Sequence, residues 1–299
     1  LETNEERSGL LHPFAYLAPT TVKEAVDVLT EYGDKARPLA GGTDLLVKAR
    51  ANVWDLDAVV DVKNIPELNT INFNSDGLTI GASVACCHIY ENEKICNEYE
   101  GIVDGASIIG GIQIQSRAGL GGNLCNAAPS ADGICPLIVN HAVATIEGPN
   151  GTREVSVDDF CTGPSRTILE NGELLVNIFL PKPKENFGSA YTRFIPRNEM
   201  DIAVAAVAAS VRLSSDKNTI EEAKIALASV GPTPIVAKEA ADSLIGKTVS
   251  DEAIDKASSL AKDAATPITD MRGTVEQRKH LVEVLTRRMI TKAIERARG

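Results

Sequence analysis

The apolar positions of this 299-residue chain fall first into a helical rhythm and then into strand-length runs. In PTTVKEAVDVLTEYG, residues 19–33, a threonine precedes Val22, Ala25, Val26 and Leu29 at helical spacing, and Gly33 ends the pattern. ARPLA at 36–40 then reads as a short buried strand running into Gly41. Ala58–Val62 and LTIGASVA at 78–85 read as two further strands. CCHIYENEKI (86–95) and EGIVDGASIIGG (100–111) read as helices, so strands and helices alternate and the first half is predicted to be α/β. ICPLIVNHAVATIEG (134–148) predicts a helix running into a strand, and Asn150-Gly151 a hairpin between VATIEGP and TREVSV. GELLVNIFLP (172–181) is another strand, and residues 1 to 12 read as a polar tail.

Near residue 182 the pattern changes. PKPKENFG (181–188) is polar and turn-rich and reads as a linker. SAYTRFIPR, AVAAVAASVRL and AKIALASVG follow as three strand-like runs, the alanine-rich ones bounded closely by loop residues. PIVAKEAADSLIG, SDEAIDKASSLAKDAA and TVEQRKHLVEVLTRRMITKAIERA then read as helices, the last with Leu281, Leu285, Met289 and Ala293 on one core stripe. Strands followed by helices predict an α+β second domain.

Charge narrows the function classes. The formal net charge is −11 and aromatic content only 4%, which argues against nucleic acid, anionic membranes and base-stacking surfaces as partners. The exception is local: Arg272, Arg278, Lys279, Arg287, Arg288, Lys292, Arg296 and Arg298 outnumber Glu276, Glu283 and Glu295. That stretch reads as a solvated helix face or as a docking edge for an acidic partner. The six cysteines (Cys86, Cys87, Cys96, Cys125, Cys135 and Cys161) form no CxxC and no zinc spacing with histidine, so they read as buried thiols in a reducing compartment. No run is long enough for a membrane span, and no signal-peptide core stands at the start. Leu1 is not an initiator, so the natural N-terminus is expected to lie upstream.

Two glycine clusters carry the chemistry. AGGTDLL, Ala40 to Leu46, lacks the GK[ST] of a Walker loop and is not GxGxxG. It still suits a phosphate cradle, because glycines let successive backbone N–H groups face one anion, with Thr43 adding a hydroxyl and Asp44 placed to cap the turn. An ordinary strand-to-helix turn is the other reading. GLGGNL, Gly119 to Leu124, has the same character, and Asp132 in the PSAD that follows can bond a sugar hydroxyl. Two such turns in one α/β domain can hold the two ends of a dinucleotide such as FAD or NAD.

The ordered set of motifs resembles the FAD-binding medium subunit of the molybdenum hydroxylases, which include xanthine, carbon monoxide and nicotinate dehydrogenases. The carrying residues are AGGTDLLV (40–47), IQSRAGLGGNLCNAAPSAD (114–132), YTRFIPRNEMDIA (191–203), GPTPIVAKEAADSLIGK (231–247) and PITDMRGTVEQRKHLVEVLTRR (267–288), spread over nearly the whole chain. The resemblance implies an α+β fold: a two-part α/β FAD-binding domain of the vanillyl-alcohol-oxidase (PCMH) type at 10–182, then a small α+β domain at 188–297 with a three-stranded antiparallel sheet and helices. It implies that Ala40, Gly41, Gly42, Thr43, Asp44, Leu45 and Leu46 wrap the pyrophosphate. Gly119, Leu120, Gly121, Gly122 and Asn123 would contact the flavin side and the phosphates, and Asp132 ribose or ribityl hydroxyls. Arg193, Leu175 and Ile109 would lie near the flavin ring. Arg193 and Arg197 also read as partners for Asp201 across a turn. This chain departs from the family at Gly119, where Thr or Ser is common, and at QIQS (113–116), where many members have QIRN. It has no cysteine-bearing insertion of the hydroxybenzoyl-CoA reductase kind.

The resemblance implies an electron-transfer oxidoreductase subunit in the cytoplasm, with no catalytic acid–base residue and no metal ligand of its own. The substrate would be oxidised at a molybdopterin-type cofactor on a large partner subunit. Electrons would reach this FAD through [2Fe–2S] clusters on a small partner subunit and leave to an external acceptor, in a dimer of heterotrimers. The alternative is a self-sufficient FAD oxidoreductase, which needs an acid–base residue over the flavin. A scaffold that has lost its cofactor is a third reading, opposed by the intact glycine clusters.

Overall fold

The structure is a computed structural model that describes residues 12–299; all but the last residue of the expected polar tail lies outside them. Three short strands, β1 (Ala15–Leu17), β2 (Ala36–Leu39) and β3 (Ala58–Asp61), form a parallel sheet in the order β1-β3-β2. All four residues of the central strand β3 are buried, as a parallel strand covered on both faces requires. The helix Val22–Tyr32 crosses between β1 and β2. Thr21 and Glu24 close a capping box at its start, Ala25, Val26 and Leu29 are buried, and Gly33 ends it at φ +56°.

A second sheet of five strands follows: β4 (Ile71–Phe73), β5 (Gly77–Gly81), β6 (Val143–Gly148), β7 (Gly151–Ser156) and β10 (Leu174–Pro181), in the order β4-β5-β10-β6-β7. Every pairing in it is antiparallel, so the α/β alternation expected of the first half describes only the small parallel sheet. Strand β6 alternates half-buried and buried residues, as one covered face demands. Gly148 pairs with Gly151 at the tip of the predicted hairpin, where Gly151 takes φ +105°. A ribbon of β8 (Cys161–Gly163) and β9 (Arg166–Thr167) sits beside this sheet. The helix expected over 86–95 breaks in two at Asn92, whose side chain accepts from the N–H groups of Lys94 and Ile95 and starts Glu93–Glu98 afresh.

The C-terminal domain holds β11 (Phe187–Phe194), β12 (Ala205–Leu213) and β13 (Ile220–Ala228) in an antiparallel sheet, with a two-residue fourth strand, β14 (Ile235–Val236), added at the β13 edge. Ile235–Val236 was expected to start a helix; the pairing with β13 takes those residues, and only Lys238–Asp242 is helical there. Alternation explains the alanines of β12. Ala206 and Ala208 join the core of the first domain, while Ala205, Val207, Ala209 and Val211 join the core under the helices. Small side chains on one face let the sheet approach the first domain closely, and Gly188 does the same for helix Val275–Arg298, where a Cβ would stand 2.2 Å from Ala293 O.

Part of the basic C-terminal stretch is spent inside the molecule, while Arg288 and Arg298 stay on the exposed face. Arg278 is 4% exposed and donates to Val204 O, Ser229 O and Asp270. Arg296 and Lys292 both hold Asp104 of helix Glu100–Ala106, at 2.6 and 3.0 Å, and Asp104 also accepts from Tyr191 N–H. This network joins the two domains. The cations beside it hold the Asp104 carboxyl below its ordinary range despite burial.

Candidate cofactor cleft

A cavity of about 590 Å³ opens between the parallel sheet and the five-stranded sheet, within the range of cofactor sites. The first glycine cluster forms one wall. Gly42 sits at φ +75°, where a side chain is strained, and turns β2 into helix Leu45–Arg50. Gly41 is bare for a different reason than an anion. A Cβ there would lie 2.0 Å from the carbonyl oxygen of Arg117, so the two glycine clusters touch backbone to backbone. In the second cluster, Gly119 and Gly121 press on Val84 O and Ala82 O, at 2.5 and 2.4 Å from the position of a Cβ. Gly122 differs, because a Cβ there would meet nothing within 4 Å. It opens onto the cleft from helix Leu120–Asn126.

The cleft brings together most of the predicted residues: Ala40, Gly41, Gly42, Thr43, Asp44, Leu45, Ile109, Gly119, Gly121, Gly122, Asn123 and Leu175 all line it. Leu46, Leu120, Asp132 and Arg193 do not. Leu46 is 42% exposed on the outer side of its helix, and Leu120 is buried in the core. Asp132 and Arg193 form a buried ion pair, and the Tyr191 hydroxyl donates to the same carboxylate at 2.7 Å. Burial pushes Asp132 up to about 6, against the pull of Arg193 and of the Tyr191 hydroxyl. Asp201, the other partner considered for Arg193, is instead held by Arg272 at 2.9 Å and Arg197 at 3.7 Å. Asn123 turns its side chain to the protein, its Oδ1 accepting from Gly133 N–H at 2.9 Å.

Sequence reasoning missed Arg37, Lys48, Ser83 and Trp54, which also line the cleft. Lys48 lies one helical turn after Asp44, a spacing that places the two on one face. Trp54, the single tryptophan, gave no periodic signal. Ser83 carries a buried hydroxyl with no hydrogen-bond partner. An unpaired hydroxyl beside the cavity, open space at Gly122 and a volume suited to a dinucleotide together fit a bound cofactor of FAD size.

Six thiols are free, and burial pushes Cys86 and Cys125 up to about 12 and Cys161 up to about 11. Among the described residues no helix is long and apolar enough to cross a membrane.

Comparison with known proteins agrees with the cleft. A family profile described as the FAD binding domain in molybdopterin dehydrogenase matches residues 12–183. The chain belongs to this family. A second profile, the CO dehydrogenase flavoprotein C-terminal domain, matches residues 190–293. The xanthine dehydrogenase FAD-binding subunit of Escherichia coli O157:H7 is 32% identical over 287 residues, covering 95% of this chain and 97% of that protein. The carbon monoxide dehydrogenase medium chain of Afipia carboxidovorans is also 32% identical, over 286 residues, covering 96% and 98%. Among solved structures, a chain of carbon monoxide dehydrogenase from Hydrogenophaga pseudoflava superposes with a TM-score of 0.92 at 30% identity, covering 96% of this chain and 99% of that one. This molybdopterin-dehydrogenase flavoprotein, with its flavin domain followed by its C-terminal domain, matches those relatives along nearly their whole length.

Proposed function

We infer that this chain is the FAD-carrying electron-transfer subunit of a molybdenum-containing hydroxylase or dehydrogenase. Its FAD stands between [2Fe–2S] clusters on a small partner subunit and an external acceptor, and the substrate is oxidised at a molybdopterin-type cofactor on a large partner subunit. The observation that carries the reading is the cleft itself, built by both glycine clusters in a chain that matches flavoprotein subunits of such complexes over its length. FAD supplies, when bound, the exchange between one- and two-electron chemistry. The chain binds and orients. The turn Ala40–Asp44 and Gly122 present bare backbone, Thr43 and Ser83 present hydroxyls, and Ile109 and Leu175 form apolar walls.

The lining favours this reading over a self-sufficient oxidoreductase. Among the described residues it carries no histidine, and of its carboxylates (Asp34, Asp44, Glu170 and Glu173) Glu173 is held bidentately by Arg153 at 2.6 and 2.7 Å, which keeps its carboxyl below the ordinary range and unsuited to proton transfer. We take the FAD-binding domain as 10–182 and the C-terminal domain as 188–297, with the buried Asp132–Arg193 pair joining them behind the cleft. A cytoplasmic dimer of heterotrimers is the assembly this reading carries.

The test uses protein purified from its native source, denatured to release its flavin for chromatography, with co-purifying chains identified. FAD at one per chain, beside an iron–sulfur chain and a molybdenum chain, is the expected result. FAD without partners would replace this reading by the self-sufficient enzyme, and a colourless protein would overturn both.

A further inference from the structure

Lys48 occupies a position that the glycine clusters alone do not explain. It projects from helix Leu45–Arg50, which follows the first glycine turn, and its Nζ donates to Asn126 Oδ1 at the end of the helix that carries Gly121 and Gly122. The two residues are 78 positions apart in the chain, so this contact bridges the two clusters across the cleft. The ammonium also stands 5.0 Å from the centroid of the Trp54 ring, whose other cationic neighbour is Arg37 at 5.5 Å. Its partners are thus a neutral amide and an aromatic face, neither of which neutralises its charge.

The other charges of the cleft are placed differently. Arg37 and Lys48 are the cationic residues of the lining, against Asp34, Asp44, Glu170 and Glu173. Arg37 turns one guanidinium nitrogen onto the backbone carbonyls of Asp34 and Ala36, at 3.0 and 2.7 Å. Glu173 is neutralised by Arg153. An ammonium has three donors, and the contact with Asn126 uses one. A dinucleotide seated against both glycine clusters brings a doubly charged diphosphate into a chain of net charge −11, where backbone N–H groups give direction but no full positive charge.

We propose that Lys48 is the cation that neutralises the cofactor's diphosphate, held ready for it by Asn126 and Trp54. The proposal rests on the FAD reading above. Lys48 then acts on the phosphate half of the cofactor and leaves the ring half untouched.

The experiment measures dissociation constants of FAD and of riboflavin, which lacks phosphate, for the flavin-stripped full chain, using quenching of flavin fluorescence at several salt concentrations. Lys48→Gln is expected to weaken FAD about ten- to a hundredfold, the scale of one charged hydrogen-bonded contact. It should flatten the salt dependence and leave riboflavin unchanged. Lys48→Glu should weaken FAD further, and Lys48→Arg should stay within about threefold of the parent on the same scale. Lys23→Met, on the exposed face of helix Val22–Tyr32, controls for net charge and should change nothing. FAD affinity within twofold of the parent in both K48Q and K48E would overturn the assignment. So would equal losses of FAD and riboflavin, which would mark Lys48 as a packing residue. A parent chain that binds no FAD at all would instead overturn the functional reading.

Discussion

Two glycines of the cleft should respond to substitution with opposite signs. Gly41 has no room, because a Cβ would stand 2.0 Å from Arg117 O and 2.6 Å from its carbonyl carbon, all of it backbone. Ordinary carbon–oxygen contact needs more than 3 Å, so Gly41→Ala must drive the two glycine clusters apart by about 1 Å. Overpacking of this kind costs about 1–3 kcal/mol, and a chain of this size loses about 2–4 °C in Tm per kcal/mol. Gly41→Ala is therefore expected to melt about 2–12 °C lower without flavin. Gly122 meets nothing within 4 Å and lies inside a helix, where exchange of glycine for a helix former stabilises by about 0.5–1 kcal/mol. Gly122→Leu should hold or raise the flavin-free Tm while its side chain fills the cleft and weakens FAD by about tenfold or more, some 1.4 kcal/mol. Calorimetry of the stripped proteins and flavin titration read the two effects separately. A Gly41→Ala chain melting with the parent, or a Gly122→Leu chain binding FAD like the parent, would refute the division into packing and cradle glycines.

Asp104→Ala takes from Tyr191 N–H its side-chain acceptor and from Arg296 one of its two carboxylates, Glu100 and Ser189 O remaining, at a cost of about 1–3 kcal/mol; chemical denaturation should show it, with Asp104→Asn recovering part. Because the Asp104 carboxyl is held low, its contribution is present above the ordinary carboxylate range and lost as pH falls through its depressed folded value. Asp132 has the opposite sign. Its folded value of about 6 lies above the unfolded one, so its protonation stabilises the fold fully below the ordinary carboxylate range, and that contribution is lost as pH rises through about 6. Stability measured across this window should lose that slope in Asp132→Asn, and an unchanged profile would refute the assignment. Thiol labelling of the native chain at pH 8 should reach Cys87 and Cys96 well before the buried Cys86 and Cys135, whose thiols burial keeps protonated; equal rates for all four would count against the buried positions.

Local pattern was enough wherever one element satisfied itself. Helices Val22–Tyr32, Asp251–Ala264 and Val275–Arg298 stand where the local pattern put them, the first with its capping threonine and the first and last with their apolar stripes, since these signals lie within one element. The three-residue strands β1 and β4 were not legible, because so short a run has no period to read and exists only through its neighbour in the sheet. The Asn92 break and the pairing of Ile235–Val236 were likewise settled by contacts outside the local pattern.

The site divides the same way. The sequence by itself placed two glycine clusters in one domain and, through their order with the later motifs, the family. Only the tertiary structure decided what each glycine is for. Gly41, Gly119 and Gly121 are bare because backbone from elsewhere lies against them, and Gly122 because nothing does. It also made a domain junction of part of the basic C-terminal stretch, through the pairing of Arg296 and Lys292 with Asp104, and set Lys48 between clusters 78 residues apart. The physical reason is common to all three. A glycine or a charge has no periodicity, and its role is fixed by whichever group the fold brings within a few ångströms of it.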